Sequence, residues 1–376
     1  AGCLPAFAER VRCAQLSGRS FPAESEFRMH AGFRILAVAA VAGLIAAVPA
    51  CNKGPTKPKV AVVTNCTANF WSICESGAKK AAAEQDVDLT FRQPPSLDVA
   101  QQKQIIDTLV QQAPSGIAIS VINPEEQTPD LKRIAGKMNL LTMDNDADGT
   151  GRLAYIGIDN YEAGKAVGRL VKQAMPDGGT LVLFIGGTTS ANAKARTGGV
   201  LDELAGEKGA KGPQYGKYTL HKNEPITDGG DENKALENAR TELDKLKDTP
   251  NLGAVGLYAY NPKAILSAAE KIGLLGKLKI VGFDEDDLTL KGIENGQIVG
   301  TVVQDPFNYG YQSVTILAAL AKGDKSKLPK PGEMIPYRLV TKDGGPDQTV
   351  NGTVVKNLKA ADFAKQLKAD IESAKK

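Results

Sequence analysis

The chain has 376 residues, 42% of them apolar and 24% charged, which suits a globular protein of two ordinary domains and argues against disorder. Its formal net charge of +3 is small and no Lys/Arg stripe interleaved with aromatics runs along it, so nucleic acid is excluded as the expected partner. Only His30 and His221 are present, which removes Ser-His-Asp, Cys-His and multi-His metal designs, and with them most hydrolases.

The first segments read as targeting. Met29, His30 and Arg34 precede the apolar run Ile35 to Val48, and Pro49-Ala50-Cys51 follows, so residues 29–51 have the parts of an export signal. The run falls short of the about 20 apolar residues that a membrane helix needs. Residues 1–28 read as an upstream extension outside the native protein. Val48-Pro49-Ala50-Cys51 resembles a bacterial lipoprotein signal and implies acylation of Cys51, with Pro49 an unusual occupant. Residues 52–58 read as a linker rich in Pro, Gly and Lys. With Cys3, Cys13 and Cys51 accounted for, Cys66 and Cys74 remain in the mature domain. Two Cys in an exported protein suggest one disulfide; two unpaired thiols, one in a loop and one on a buried helix face, are the alternative.

From Lys59 onward, β-branched runs alternate with amphipathic ones. KVAVVT, VDLTF, GIAISV, LLTMD and AYIGI are predicted strands, separated by helices that begin near Phe70, Asp98 and Pro124. The pattern repeats with TLVLFIGG, KYTLH, AVGLYAY, KIVGFDE and IVGTVVQ. Such alternation predicts α/β architecture, with two doubly wound parallel sheets covered on both faces. Asp98 and Asn160 stand where N-caps belong, and Pro124 and Pro262 fit first helical turns after Asn123 and Asn261. The tail, PGEMIPYRLV to the C-terminus, predicts an added strand pair and a closing helix with a solvated charged face.

The polar residues at the ends of these strands share one chemistry. Asn65, Asn123, Asp144 with Asn145, Asn261, Asp284 and Gln304, joined by Arg196 near a helix start, all suit hydroxyl groups, and a carboxylate takes two neighbouring OH groups at once. The aromatic pair Phe70-Trp71, with Asn69 beside it, would cover the CH face of a sugar ring. Singly, each residue has a plainer reading as a cap, a turn former or core. Their repetition at the carboxyl edge of successive strands, where open α/β sheets bind ligands, is what points to a site. Asp144 to Gly149, DNDADG, opens like a calcium loop, but Tyr155 occupies the position that needs a bidentate carboxylate. Phe184 to Ser190, FIGGTTS, lacks the GxGxxG of a dinucleotide site, and no P-loop pattern occurs.

Taken in order, Phe70-Trp71 with SGAKKAAAE, the INP of Ile122 to Pro124, Thr142-Met143-Asp144, GIDNYEAG, SANAKARTGG, YAYNPKAILSA, IVGFDE and VVQDPFNYG make the stretch from Lys59 to Val340 similar to periplasmic sugar-binding proteins of the ribose-binding type. The resemblance implies two similar lobes joined by a three-crossing hinge. One lobe takes residues 59–159 plus 305–333 and the other 160–304 plus 334–376. It implies a monomer that binds a neutral monosaccharide such as ribose, catalyses nothing, needs no cofactor or metal, and serves an ABC permease with its ATPase from the periplasm or a lipid-anchored position. Carried over by residue, Phe70 and Trp71 would stack on the sugar. Asn123, Asp144 and Arg196 would bond hydroxyls or the ring oxygen, and Asn261, Asp284 and Gln304, with Phe283 beside them, would complete the site. Ala68-Asn69 replaces the family's Asn-Pro, and Asn145 its Arg, so the particular sugar stays open between Asn65 and Asn69 as partners. A sensor that presents its closed form to a membrane receptor keeps the same fold. A repressor's sensor domain would need a helix-turn-helix where this chain has its export signal.

Overall fold

The computed structural model describes residues 56–373. The export signal, acylation at Cys51, the upstream residues 1–28 and most of the linker lie outside the described residues. No helix among the described residues is long and apolar enough to cross a membrane.

The first sheet is built from β1 (Lys59–Val63), β2 (Asp88–Arg92), β3 (Gly116–Ile119), β4 (Asn139–Met143) and β5 (Ala154–Ile156), with α1 (Asn69–Gln85), α2 (Val99–Gln111) and α3 (Pro124–Ala135) between them. All five strands are parallel in the order β2-β1-β3-β4-β5. β1 and β3 are apolar nearly throughout because helices cover both faces of a parallel sheet, leaving no side for alternation.

The same plan recurs. After α4 (Asn160–Ala174) come β6 (Gly179–Ile185), α5 (Ala191–Ala205), β7 (Gln214–Tyr215), β8 (Tyr218–Leu220), β9 (Ile226–Thr227), α6 (Glu232–Lys245), β10 (Leu252–Gly256), α7 (Asn261–Lys271), β11 (Lys279–Phe283), α8 (Asp287–Glu294) and β12 (Gly300–Val303). Their core order, β8-β6-β10-β11-β12, repeats that of the first sheet strand for strand. The chain then runs through α9 (Pro306–Ala321), β13 (Arg338–Thr341), the hairpin of β14 (Gln348–Val350) and β15 (Thr353–Val355), β16 (Asn357–Lys359) and α10 (Ala360–Ser373). β13 joins β12 antiparallel and β16 joins β13, so the tail extends the second sheet. α9 instead returns to the first, packing on α1, β1, β3, β4 and β5, whereas α4 packs on α5, β11 and β12. The chain therefore passes between two lobes three times, and the fold class read from the sequence holds.

Some local expectations need correction. The N-cap of α4 is Asp159, whose Oδ1 accepts from the N–H groups of Tyr161 at 3.1 Å and Glu162 at 3.0 Å. Asn160 is the first helical residue, and its side chain is free to bind elsewhere. AVGLYAY is a strand only to Gly256; Tyr258 to Tyr260 form the turn into α7. The disulfide is absent: Cys66 and Cys74 are separate buried thiols. Cys66 lies in the loop before α1 beside the Trp71 indole, while Cys74 sits on the face of α1 that meets Gly310 of α9, so the two sulfurs face different neighbours.

Candidate functional site

A doubly wound sheet binds ligands outside the carboxyl ends of its strands, where the strand order reverses. In both lobes that edge faces the other lobe. Asp144 directly follows β4 and Asp284 its counterpart β11, and the two residues share an unusual backbone. Both are left-handed, with φ of 59° and 64°. Their N–H groups donate to the neighbouring strand, Asp144 to the Ile156 carbonyl at 3.0 Å and Asp284 to the Val302 carbonyl at 2.7 Å. Their carbonyls are held by the hydroxyls of Tyr155, at 2.9 Å, and Thr301, at 2.8 Å. This fixed twist at each strand end turns both carboxylates into the space between the lobes.

Arg196 of α5 stands between them. Its guanidinium lies 3.9 Å from a carboxylate oxygen of each Asp. Nε donates to Asn160 Oδ1 at 2.8 Å, Nη1 donates to the Leu257 carbonyl at 3.1 Å, and the group lies 3.9 Å from the centroid of the Phe283 ring. Nη2 is buried with no hydrogen-bond partner, although the whole residue is only 1% exposed. A buried donor left open at the junction of two lobes is a group prepared for a ligand acceptor. Asp284 also accepts from Gln304 Nε2 at 2.8 Å, and Asp144 from Ser120 Oγ at 3.0 Å. Burial pushes the Asp284 carboxyl up to about 7 against the opposing pull of Arg196, and burial likewise raises Asp144.

Asp144, Arg196, Asp284 and Gln304 line a small cavity of about 40 Å³, together with Asn65, Phe70 and Trp71 from the first lobe. Trp71 presents its ring edge-on to Phe70, with centroids 4.9 Å apart, and its indole N–H donates to Asn65 Oδ1 at 2.9 Å. The aromatic pair is thereby fixed at the start of α1 without the disulfide. A wider depression of about 360 Å³ lies around Tyr155, Asp305, Met334 and Arg338. The smaller cavity is the stronger candidate, because the strand ends of both lobes and the buried charges converge on it.

The structure therefore brings Asn65, Phe70, Trp71, Asp144, Arg196, Asp284 and Gln304 together. Other expected contacts stand outside the cavity. Asn69 is an exposed first residue of α1. Asn123 caps α3, accepting from Glu125 and Glu126 N–H groups. Asn145 supports the site from behind, donating to Asp144 and accepting the Asn192 N–H at 3.1 Å. Asn261 is buried as scaffold, accepting from the Tyr258 N–H and donating to Asp228. Phe283 is the platform beneath Arg196. The cavity adds Asn192, Tyr258 and Tyr260, which the residue-by-residue reading passed over. Their signal was position, since Tyr258 follows β10 and Asn192 opens α5 at the same sheet edge.

A family model described as periplasmic binding protein domain matches residues 60–325. The chain belongs to that family. It is 24% identical over 304 residues to the D-ribose/D-allose-binding protein of Pseudomonas aeruginosa, covering 76% of this chain and 90% of that protein. It is 25% identical over 279 residues to the D-allose-binding periplasmic protein of Escherichia coli, covering 70% and 85%. Among solved structures, an ABC transporter solute-binding protein from Burkholderia graminis in complex with D-arabinose superposes with a TM-score of 0.69 at 28% identity, covering 77% of this chain and 97% of that one. The family is one of binding-protein domains and all three relatives are named for binding, so binding, not catalysis, is the activity.

Proposed function

We propose that the protein binds a neutral monosaccharide, D-ribose or a related pentose, hexose or polyol, between its lobes and hands it to an ABC permease driven by its ATPase. The observation that carries this reading is the open Arg196 Nη2 set between two strand-end carboxylates, one from each lobe, beside Phe70 and Trp71. Carboxylates accept from paired hydroxyls, the guanidinium donates to a ring or hydroxyl oxygen, and the aromatics cover the CH face. Two carboxylates against one guanidinium disfavour an anionic ligand. In this reading Asn65, Asn192 and Gln304 complete the contacts, and the hinge crossings fall at Asp159–Asn160, Gln304–Asp305 and between Pro331 and Met334. The names of the relatives, which carry ribose, allose and arabinose, support the sugar class.

A thermal-shift screen over pentoses, hexoses, inositols and amino acids tests the proposal, because a ligand that binds only the native state raises Tm by mass action. A sugar or polyol is expected to give the largest shift. A shift with amino acids alone would overturn the sugar assignment.

A further inference from the structure

The space between the lobes is not confined to the sugar cavity. A second recess of about 270 Å³ adjoins the sugar cavity and shares Asn65 and Tyr258 with it. Its walls come from both lobes: Leu97 and Ile122 on the first, and the turn from Gly186 to Ser190 with Thr227 on the second. The inner cavity, at about 40 Å³, is far the smaller of the two and has no room for a second ring. The border between the two spaces is pinned. Asn65 holds the Trp71 indole, and the Tyr258 hydroxyl lies 3.2 Å from Ser190 Oγ.

What keeps the recess open is the run of glycine on its second-lobe wall. A Cβ at Gly186 would sit 2.4 Å from the Tyr258 ring, so that position admits no side chain while Tyr258 keeps its place. At Gly187 a Cβ would meet only Leu97 Cδ1, at 3.8 Å, so that residue leaves unfilled a space that a side chain fits. Meanwhile the lobes touch beside the opening, through Thr189 Oγ1 and the Ile122 carbonyl at 3.5 Å. The recess therefore persists with the lobes shut. Thr188 and Thr227 bring hydroxyls to its wall, Leu97 brings an apolar face and Lys234 an ammonium donor, and no carboxylate lines it.

We propose that this recess is a second subsite, which takes the further sugar unit of a glycoside whose first ring occupies the Asp144, Arg196 and Asp284 cavity. The proposal rests on the sugar-binding reading above and extends its ligand class from free monosaccharides to short glycosides. Threonine hydroxyls and exposed backbone amides answer the hydroxyls of the second ring, and Leu97 covers its CH face.

Calorimetric titration with D-ribose, D-xylose, D-allose, D-glucose and D-galactose identifies the preferred ring. The same titration is then run with the methyl glycosides of that sugar and with xylobiose, cellobiose, maltose and lactose. At least one glycoside is expected to bind about tenfold more tightly than its free sugar. Gly187→Leu, which fills the recess without reaching the inner cavity, is expected to abolish that advantage and leave the free sugar within about twofold, and Gly187→Ala to change neither. Glycosides that all bind weaker than the free sugar by about tenfold or more would overturn the subsite, as would a Gly187→Leu variant that weakens free sugar and glycoside by the same factor. If no free sugar and no glycoside binds, the sugar reading itself falls, an outcome separate from failure of the subsite alone.

Discussion

Two carboxylates sharing one guanidinium set the character of the site at the level of single residues. Since burial lifts Asp284 to about 7, with Arg196 and Gln304 opposing and the Asp144 charge adding to the rise, a hydroxyl ligand that needs the ionised form competes with a proton. Sugar affinity is therefore expected to fall as pH drops below about 7 and to level off above it, with protons released on binding near neutrality. Titrations in buffers of different ionisation enthalpy check this, and equal heats in all buffers at pH 6.5 would count against it. For the unliganded protein the sign reverses. The native carboxyl keeps its proton up to about 7 while an unfolded chain releases it near 3.8, so this group's contribution is fully present below 3.8 and is lost as pH rises through 7. Arg196→Met should then cost about 3–5 kcal/mol at pH 8, where it strands the ionised Asp284, and clearly less at pH 5, where Asp284 holds a proton. Urea unfolding at the two pH values measures the difference. The thiols offer a plainer check. Cys66, pushed up to about 12 by burial, and the still more deeply buried Cys74 should resist alkylation in the native protein and react fully once it is denatured, as peptide mass spectra would show. A reductant-sensitive mass change linking their peptides would contradict the structure.

At the level of elements, each lobe packs a helix pair backbone against backbone through glycine. Between α1 and α9, a Cβ on Gly310 would lie 2.0 Å from the Cys74 carbonyl oxygen, and one on Gly77 would lie 1.9 Å from that of Phe307. Between α4 and α5, a Cβ on Gly164 would lie 2.3 Å from the Arg196 carbonyl oxygen. The second contact bears on function because it sets the height of the turn that carries the guanidinium. Gly310→Ala and Gly164→Ala should each destabilise by about 1–3 kcal/mol, since backbone has to move to admit the methyl group. Only Gly164→Ala is expected to weaken sugar binding markedly as well, because the movement falls on Arg196. Unfolding curves paired with calorimetry separate the two, and equal loss of affinity in both variants would remove Gly164 from the positioning of the site. These close contacts could not be read from the sequence. GIDNYEAG and VVQDPFNYG mark helix starts by their caps and prolines, but which glycine meets which carbonyl depends on how separate segments dock.

At the scale of the whole molecule, the sequence was legible in proportion to how local each determinant is. Strand periodicity exposed the two sheets, and strand-end polarity singled out Asp144 and Asp284, which the structure places together, because those follow from runs of a few residues. Asn123 and Asn261 carry the same strand-end signature but serve as a cap and as scaffold, and Asn192 and Tyr258 were passed over although they line the cavity. Nothing short of the docked lobes distinguishes these cases, since the pairing of Asn145 with the Asn192 N–H spans the cleft. That contact joins the two lobes, and in the reading proposed above it belongs to the free energy of closure, which a ligand supplements through its differential contacts with the closed form. Lys194 and Glu125 also meet across the cleft, at 2.9 Å, but their side chains are 54% and 83% exposed. An exposed pair of this kind contributes about 0–1 kcal/mol. Asn145→Ala leaves the Asn192 N–H buried and unpaired, which costs about 1–3 kcal/mol. The sugar that gives the largest thermal shift should therefore bind Asn145→Ala about five- to a hundredfold more weakly, and Lys194→Ala within about fivefold of wild type. Small-angle scattering should show the same order, with sugar compacting Lys194→Ala as it does wild type and compacting Asn145→Ala less. If Lys194→Ala loses as much affinity as Asn145→Ala, closure is governed by surface charge and not by the buried contact behind Asp144.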